Sequence, residues 1–415
     1  MANGGRNQRV LIYSHDSFGL GHLRRCREIA HALVEDQKSL SVLILSGSPI
    51  IGSFDFRARV DFVRVPGVIK LRNGDYTPLK LFIDIEETMA MRASIIEHTA
   101  KVYDPDLFIV DKEPLGLRGE VESTLRLMKE RGTPCVLGLR DIMDEPGLLA
   151  PEWERKHSVP ALAKYYDDIW VYGLPQICDP LEGIELPASL RRKMTYTGYL
   201  RRGLPQTTTK HSLEKIADDY LLITVGGGGD GNEIIDWVLS AYESDPALPI
   251  PALLVLGPFM SGELQNDFLE RANQLPNVEA ITFDAHMESL MDRAVGVVCM
   301  GGYNTFCEVL SFDKRALVVP RTKPRMEQYI RASRAQELGL VKMLVDDGVR
   351  DARTMATALR GLPQQRLPSE SVVPGLLDGR NNVVKLARQR LRQQRRRLVL
   401  ANAAETLRAA VRGRR

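Results

Sequence analysis

Short apolar runs, rich in β-branched residues, recur along the chain, and the stretches between them carry apolar positions at helical spacing. In the first half these runs predict strands near residues 9–14, 41–46, 61–65, 107–111, 135–139, 169–172 and 194–198. In the second half they predict strands near 220–225, 252–256, 278–283, 296–300, 316–319 and 341–345. Continuous apolar strands alternating with amphipathic helices mean parallel sheets covered on both faces. Residues 199–219 lack apolar periodicity and carry Leu204-Pro205 and three threonines, which reads as a linker. The pattern predicts an α/β protein with two Rossmann-like domains facing across a cleft. Their extents are 1–203 and 220–384, joined by a linker at 204–219 and followed by a C-terminal helix over 385–415.

Both halves open with a strand, a glycine-rich turn and a helix. The first has Ser17-Phe18-Gly19-Leu20-Gly21-His22 after its opening strand, and the second has Gly226-Gly227-Gly228-Gly229-Asp230-Gly231. Parallel sheets place ligands outside the carboxyl ends of their strands, where both loops sit. Four successive glycines let backbone N–H groups approach an anion, and the helix that follows presents its positive end. No Lys-Ser/Thr follows, so this is no Walker loop. Nor is there G-x-G-x-x-G with a correctly spaced acid, which argues against hydride transfer. A mononucleotide or nucleotide-sugar fits better.

Charge and cysteine content refine the picture. The 415 residues carry 56 Lys+Arg and 53 Asp+Glu, a net +3. Residues 385–415 hold 11 basic residues and one acidic residue, Glu405, so the tail is +10 and the remainder −7. Composition at 44% hydrophobic and 26% charged is that of a globular protein. Five cysteines without a C-x-x-C pair indicate neither a disulfide framework nor a zinc site. No apolar run approaches the ~20 residues of a membrane span, and residues 1–9 are polar with no signal-peptide core. A cytoplasmic protein is expected.

The most specific segment begins after the strand at 278–283. It comprises Asp284-Ala285-His286-Met287, the turn Gly301-Gly302-Tyr303-Asn304-Thr305 with Glu308 on the helix behind it, and Glu327-Gln328 with Arg331-Ala332 after the next strand. The spaced pattern G-G-x-N-T-x-x-E followed by E-Q-x-x-R-A resembles the donor half of GT-B glycosyltransferases, in the group holding the lipid II N-acetylglucosaminyltransferase and the UDP-glycosyltransferases. The resemblance covers the last third of the globular part strongly and the rest in architecture and in the first glycine loop. It implies Glu308 on the ribose hydroxyls, and Thr305 and the Gly301-Gly302 turn at the diphosphate; Asn304 and the Gly226–Gly229 loop are further donor-binding candidates. It further implies Met287 at the base, and Glu327 with Gln328 on the sugar. A carboxylate suits two vicinal hydroxyls, and a helix N-terminus suits a diphosphate. Glu327 departs from the lipid II enzyme, which has an amide there, and is closer to the UDP-glycosyltransferases.

At the first loop, His22 opens a helix beside the cleft and is a general-base candidate, since a helix N-terminus keeps an imidazole neutral. The resemblance implies the same role, with Asp111, at the end of its strand, orienting the ring. Gly19, Gly21, Arg140 and Asp141 are the acceptor-side candidates. Asp104-Pro105-Asp106 imitates a metal-binding D-x-D but reads as a turn that starts the next strand, so no metal and no cofactor beyond the donor substrate are expected.

These residues lead to an inverting, metal-independent glycosyltransferase. It moves a sugar from a nucleotide-sugar, UDP by resemblance, to a hydroxyl acceptor that could be lipid-linked. The loop Gly19-Leu20-Gly21-His22-Leu23-Arg24-Arg25 also looks like that of the nucleotide-sugar hydrolase of pseudaminic acid synthesis. Transfer to water is therefore the enzymatic alternative, and a non-catalytic nucleotide-sugar-binding protein is the alternative outside enzymes. For the basic tail three readings stand: an interdomain helix with Val384, Ala387 and Leu391 inward, a contact with an anionic membrane surface from the cytoplasmic side, or a partner surface. The tail has no stacking aromatics, so nucleic acid is not expected.

Overall fold

The computed structural model describes residues 7–15, 20–71, 75–204, 215–216, 219–227 and 229–412, with side chains described up to residue 400 apart from Lys70. The first domain contains strands β1 (Gln8–Tyr13), β2 (Leu40–Ser46), β3 (Val60–Arg64), β4 (Val68–Lys70), β5 (Tyr76–Pro78), β6 (Leu107–Asp111), β7 (Cys135–Arg140), β8 (Asp168–Tyr172) and β9 (Met194–Tyr196). The second contains β10 (Leu221–Thr224), β11 (Ala252–Val255), β12 (Val278–Ile281), β13 (Gly296–Cys299), β14 (Arg315–Val318) and β15 (Lys342–Met343). Seven strands form one parallel sheet in the order β3-β2-β1-β6-β7-β8-β9, and six form another in the order β12-β11-β10-β13-β14-β15. Every strand expected from the apolar runs is present, because a strand buried on both faces has to be apolar throughout. The last is reduced to Lys342–Met343. The antiparallel β4–β5 hairpin was not expected, since strands of three residues are too short to show a period.

The strand order places the two glycine loops. In each sheet the chain reverses direction of growth at the opening strand, between β2 and β6 around β1 and between β11 and β13 around β10. A crevice forms at such a switch point, outside the carboxyl ends of the strands. The loops after β1 and β10 therefore open onto the space between the domains.

The two domains share one apolar cluster. Tyr199 and Leu200, which lead out of the first domain, are buried with Tyr303 and Phe306 of the second, and the Tyr199 ring meets Phe306 edge-on at 5.1 Å. Polar pairing reinforces this contact. Arg331, at 0% exposure, gives Asp141 two hydrogen bonds, Nε at 2.7 Å and a terminal nitrogen at 2.6 Å, and the Tyr199 hydroxyl donates to the same carboxylate at 2.7 Å.

The C-terminal helix runs over Gly379–Arg412, starting before the boundary expected at 385. Its buried stripe is Val383, Ala387 and Leu391, one residue earlier at its start than the stripe read from sequence, with Val384 only half-buried. The stripe packs against the helix Gly21–Asp36, and the basic residues beside it meet acids of the first domain. Arg380 pairs with Glu28 at 3.2 Å and with Glu35, Arg388 pairs with Asp36, and Arg390 pairs with Asp168 at 2.5 Å. The helix therefore crosses back from the second domain to close on the first.

Arg331→Leu leaves the Asp141 carboxylate buried without its cation and is expected to lower the unfolding free energy by about 3–5 kcal/mol. Arg331→Leu combined with Asp141→Leu, which removes both charges, is expected to recover part of that loss. Urea denaturation of the wild type and both variants checks this.

Candidate functional site

The cleft between the domains holds a cavity of about 260 Å³. Its first-domain wall includes Gly21, His22, Arg24, Arg25 and Arg140. Its second-domain wall includes Gly226, Gly227, Met287, Gly302, Asn304, Thr305, Glu308, Arg321, Glu327 and Gln328.

On the first-domain side, the helix Gly21–Asp36 starts at the loop after β1 and puts His22 and Arg25 one turn apart on the same face. His22 Nδ1 lies 2.5 Å from Asp111 Oδ2. The Arg25 guanidinium holds the other oxygen of Asp111 through Nε at 2.9 Å and a terminal nitrogen at 2.5 Å. Asp111 ends β6, next to β1 in the sheet, so sheet order brings these groups together. Burial would raise the Asp111 carboxyl, but Arg25 and His22 outweigh it and hold the group well below the usual carboxylate range. Such a carboxylate accepts a hydrogen bond from Nδ1–H, the tautomer that leaves the Nε2 lone pair free. Burial, with Arg25 and Lys112 adding to it, pulls the His22 imidazole down to about 4 against the effect of Asp111. The ring keeps 21% of its side-chain surface open to the cleft.

On the second-domain side, the helix Tyr303–Ser311 begins at Gly302, and its first turn faces the cavity with its N–H groups unclaimed by the helix itself. The turn depends on Gly301, at φ +75°, where a Cβ would stand 2.7 Å from a Val318 methyl. Glu308, one turn further along this helix, is 1% exposed and accepts a hydrogen bond from Arg24 across the cleft. Arg24 also donates to Glu288 at 3.0 Å. Burial raises the Glu308 carboxyl, and the cation beside it does not fully offset that. Below the turn, Glu327 pairs with Arg321 at 2.9 Å, and Gln328 Oε1 accepts from the Arg321 backbone at 3.2 Å. Burial would raise the Glu327 carboxyl, but Arg140, Arg321 and Arg331 hold it below the usual value.

Several expected residues play parts that the sequence did not distinguish. Asp141, expected on the acceptor side, is 0% exposed and serves the contact between domains. Asn304 is also a connector, its Nδ2 donating to the Gly21 carbonyl at 2.9 Å and its Oδ1 accepting from Arg202 at 2.7 Å. Gly301 shapes the turn from behind and gives its carbonyl to Arg331 at 2.8 Å. Gly226 and Gly227 line the cavity and Gly229 does not, while Gly228 and Gly19 lie outside the described residues. Arg24, Arg25, Glu288 and Arg321 were not anticipated. The signal for Arg25 was its spacing of three from His22, whereas Arg24, Glu288 and Arg321 acquire their partners only through the tertiary fold. Among the described residues no group of three or more His, Cys, Asp or Glu is placed to hold a metal ion, and no helix is long and apolar enough to cross a membrane.

Residues 222–391 match the model of the glycosyltransferase family 28 C-terminal domain. No curated protein matches the sequence significantly. Among solved structures, Medicago truncatula UGT71G1 complexed with UDP-glucose superposes with a TM-score of 0.59 at 14% identity, covering 94% of this chain and 100% of that one. The calicheamicin glycosyltransferase CalG4 gives 0.55 at 15% identity over 97% and 98% of the two chains. Acinetobacter baumannii MurG gives 0.52 at 12% identity over 92% and 99%. Two switch-point loops facing one cleft and superposition over the whole chain give this protein the GT-B fold of these glycosyltransferases, and its second half matches the family 28 C-terminal domain.

Proposed function

We propose that the protein transfers a sugar, with inversion and without a metal ion, from a nucleotide-sugar in the second domain to an acceptor hydroxyl in the first. The observation that carries this reading is the His22–Asp111–Arg25 chain, which faces Glu308 and the start of the helix Tyr303–Ser311 across a single cavity. His22 Nε2 takes the acceptor's O–H proton as its oxygen attacks the anomeric carbon. The bond from that carbon to the diphosphate breaks in the same displacement, which inverts the centre. Charge on the leaving diphosphate is received by the N–H groups of Gly302–Thr305 and by the loop at Gly226-Gly227. Glu308 binds the ribose hydroxyls in exchange for part of its pairing with Arg24, and Glu327 with Gln328 binds the sugar. UDP as the nucleotide is supported by the solved structure of UGT71G1 with UDP-glucose, which shares the fold.

Glu308→Ala removes two charge-assisted hydrogen bonds to the ribose and is expected to weaken UDP binding about 10–100-fold in calorimetry. His22→Ala should leave UDP affinity near wild type and lower turnover at least ~100-fold. Release of UDP from a UDP-sugar at full rate without acceptor would assign the enzyme to hydrolysis. Absence of any turnover with tight UDP binding would make it a binding protein.

The folded-state pKa of about 4 keeps His22 neutral at pH values where an ordinary histidine is protonated. His31, lowered by burial to about 3, and His15, lowered in the same way, behave alike. Between about pH 6.5 and 4 the unfolded chain then binds more protons than the folded one. This part of the stability is complete above pH 6.5 and is lost as pH falls through that window. Thermal melts should show Tm dropping in that range, and NMR of 13C-labelled histidine should show His22 without a protonation step near 6.5.

We further infer a peripheral membrane contact from the cytoplasmic side. Beyond the buried stripe of the C-terminal helix, Arg392, Arg395 and Arg396 are exposed together with Leu398, Val399 and Leu400, the last at 70%. Exposed cations beside exposed aliphatic side chains suit an anionic lipid surface. Deleting residues 392–415, which spares Val383–Leu391, is expected to abolish sedimentation with phosphatidylglycerol vesicles. Unchanged sedimentation would exclude this contact.

A further inference from the structure

Near His22, the ends of β6 and β7 carry cations that the proposed transfer does not use. Lys112 and Arg140 stand at the carboxyl ends of β6 and β7, which are neighbours in the sheet, and the Lys112 backbone N–H donates to the Gly138 carbonyl of β7 at 2.8 Å. His15 stands at the end of the next strand, β1. Three adjacent strand ends thus present an imidazole, an ammonium and a guanidinium to one region.

Their partners are few. Arg140 lines the cavity and makes no hydrogen bond or ion pair with the described residues, and its Nε is enclosed without a partner. Among the described residues Lys112 comes no nearer to a carboxylate than 3.7 Å, from Glu113, and Glu113 is also held by Lys156 at 3.0 Å. His15 is 7% exposed, its Nδ1 has no partner, and its ring lies edge-on to His22 at 5.5 Å.

The described carboxylates around them have closer partners. Asp111 is held by Arg25, Asp141 by Arg331, Asp144 by Arg325 at 3.2 Å, and Glu327 by Arg321. Burial and the neighbouring cations Arg140, Arg325 and Lys156 bring the Lys112 ammonium down to about 8, and burial brings Arg140 to about 10. Desolvated cations whose counter-charges are distant or shared are costly, and an anion between them relieves that cost. The donor's diphosphate has its own sites in the second domain, so it is not the anion these groups await.

We propose that Lys112 and Arg140, with His15 beside them, form a subsite for an anionic group, a carboxylate or a phosphate, carried by the acceptor near the hydroxyl that His22 deprotonates. The assignment rests on the transferase reading of the cleft and narrows its acceptor to anionic molecules. A hexuronate or a sugar phosphate has the required chemistry, and a neutral sugar does not.

The test uses the full-length protein saturated with UDP and two probes that differ in one group, p-nitrophenyl β-D-glucuronide and p-nitrophenyl β-D-glucoside, titrated by calorimetry. The glucuronide should bind at least about tenfold more tightly. Lys112→Gln with Arg140→Gln should remove that preference while UDP affinity stays within about threefold of wild type. Lys112→Gln alone, at the less enclosed position, should lower glucuronide affinity at least about threefold, which covers the case of a double variant that fails to fold. Equal affinity for the two probes, or binding of neither, overturns the proposal, as does a preference that survives both substitutions. A parallel loss of UDP affinity would assign the cations to the diphosphate instead. A preference for UDP-glucuronate over UDP-glucose that depends on Lys112 and Arg140 would place the anion on the donor sugar and likewise overturn the acceptor assignment. Failure of UDP itself to bind the wild type counts against the transferase reading alone, since the two probes can then be compared without it.

Discussion

The bidentate pair between Arg331 and Asp141 holds the two halves of the cleft in register. Asp141 follows the last residue of β7, so its position is fixed by the first sheet, and Arg331 belongs to the helix Glu327–Glu337 of the second domain. The remaining terminal nitrogen of Arg331 grips the Gly301 carbonyl, and Gly301 sets the turn that aims the helix Tyr303–Ser311 at the cavity. One guanidinium therefore links the first-domain wall of the cleft, through Arg140 next to Asp141, to the turn at the start of the helix Tyr303–Ser311. Both charges are buried, so the pair costs desolvation and returns little net stability. What it contributes is geometry, because planar, two-point pairing tolerates little displacement.

Charge is organised by the same economy. The body of the chain is acidic, yet the cleft presents backbone N–H groups at two helix starts and individual guanidinium groups. The basic C-terminal helix divides its cations between two uses. Arg380, Arg388 and Arg390 neutralise acids of the first domain and fasten the helix to it, while Arg392, Arg395 and Arg396 beyond the buried stripe stay exposed. Part of the helix's basic charge is therefore local pairing that closes the two domains on each other.

The second domain was the more legible half. Its motif residues lie close in sequence because one turn and one helix carry them, so Gly302, Thr305 and Glu308 could be read together. The first-domain wall is assembled from the ends of β1, β6 and β7, which are far apart along the chain. There the residue types could be named, but not which side chains meet. Arg140 and Asp141 show this most clearly. They are adjacent, polar and at the end of the same strand, and one lines the cleft while the other is buried between domains. Successive side chains in an extended backbone point to opposite sides, and sequence does not say which side the partner domain covers.

The sequence by itself determined the strands, the two glycine loops, the helix-borne motif and the split of charge between body and tail. Each of these is local, since burial on both faces demands continuous apolar runs and tight anion-binding turns demand glycine. The tertiary structure alone decided that Asp111 is shared by His22 and Arg25, that Arg24 reaches Glu308 across the cleft, that Asp141 and Asn304 join the domains, and that Lys112 and Arg140 have no close carboxylate among the described residues. Such pairings depend on strand order and on the docking of one domain against the other, which bring together residues whose separation along the chain carries no periodic signal.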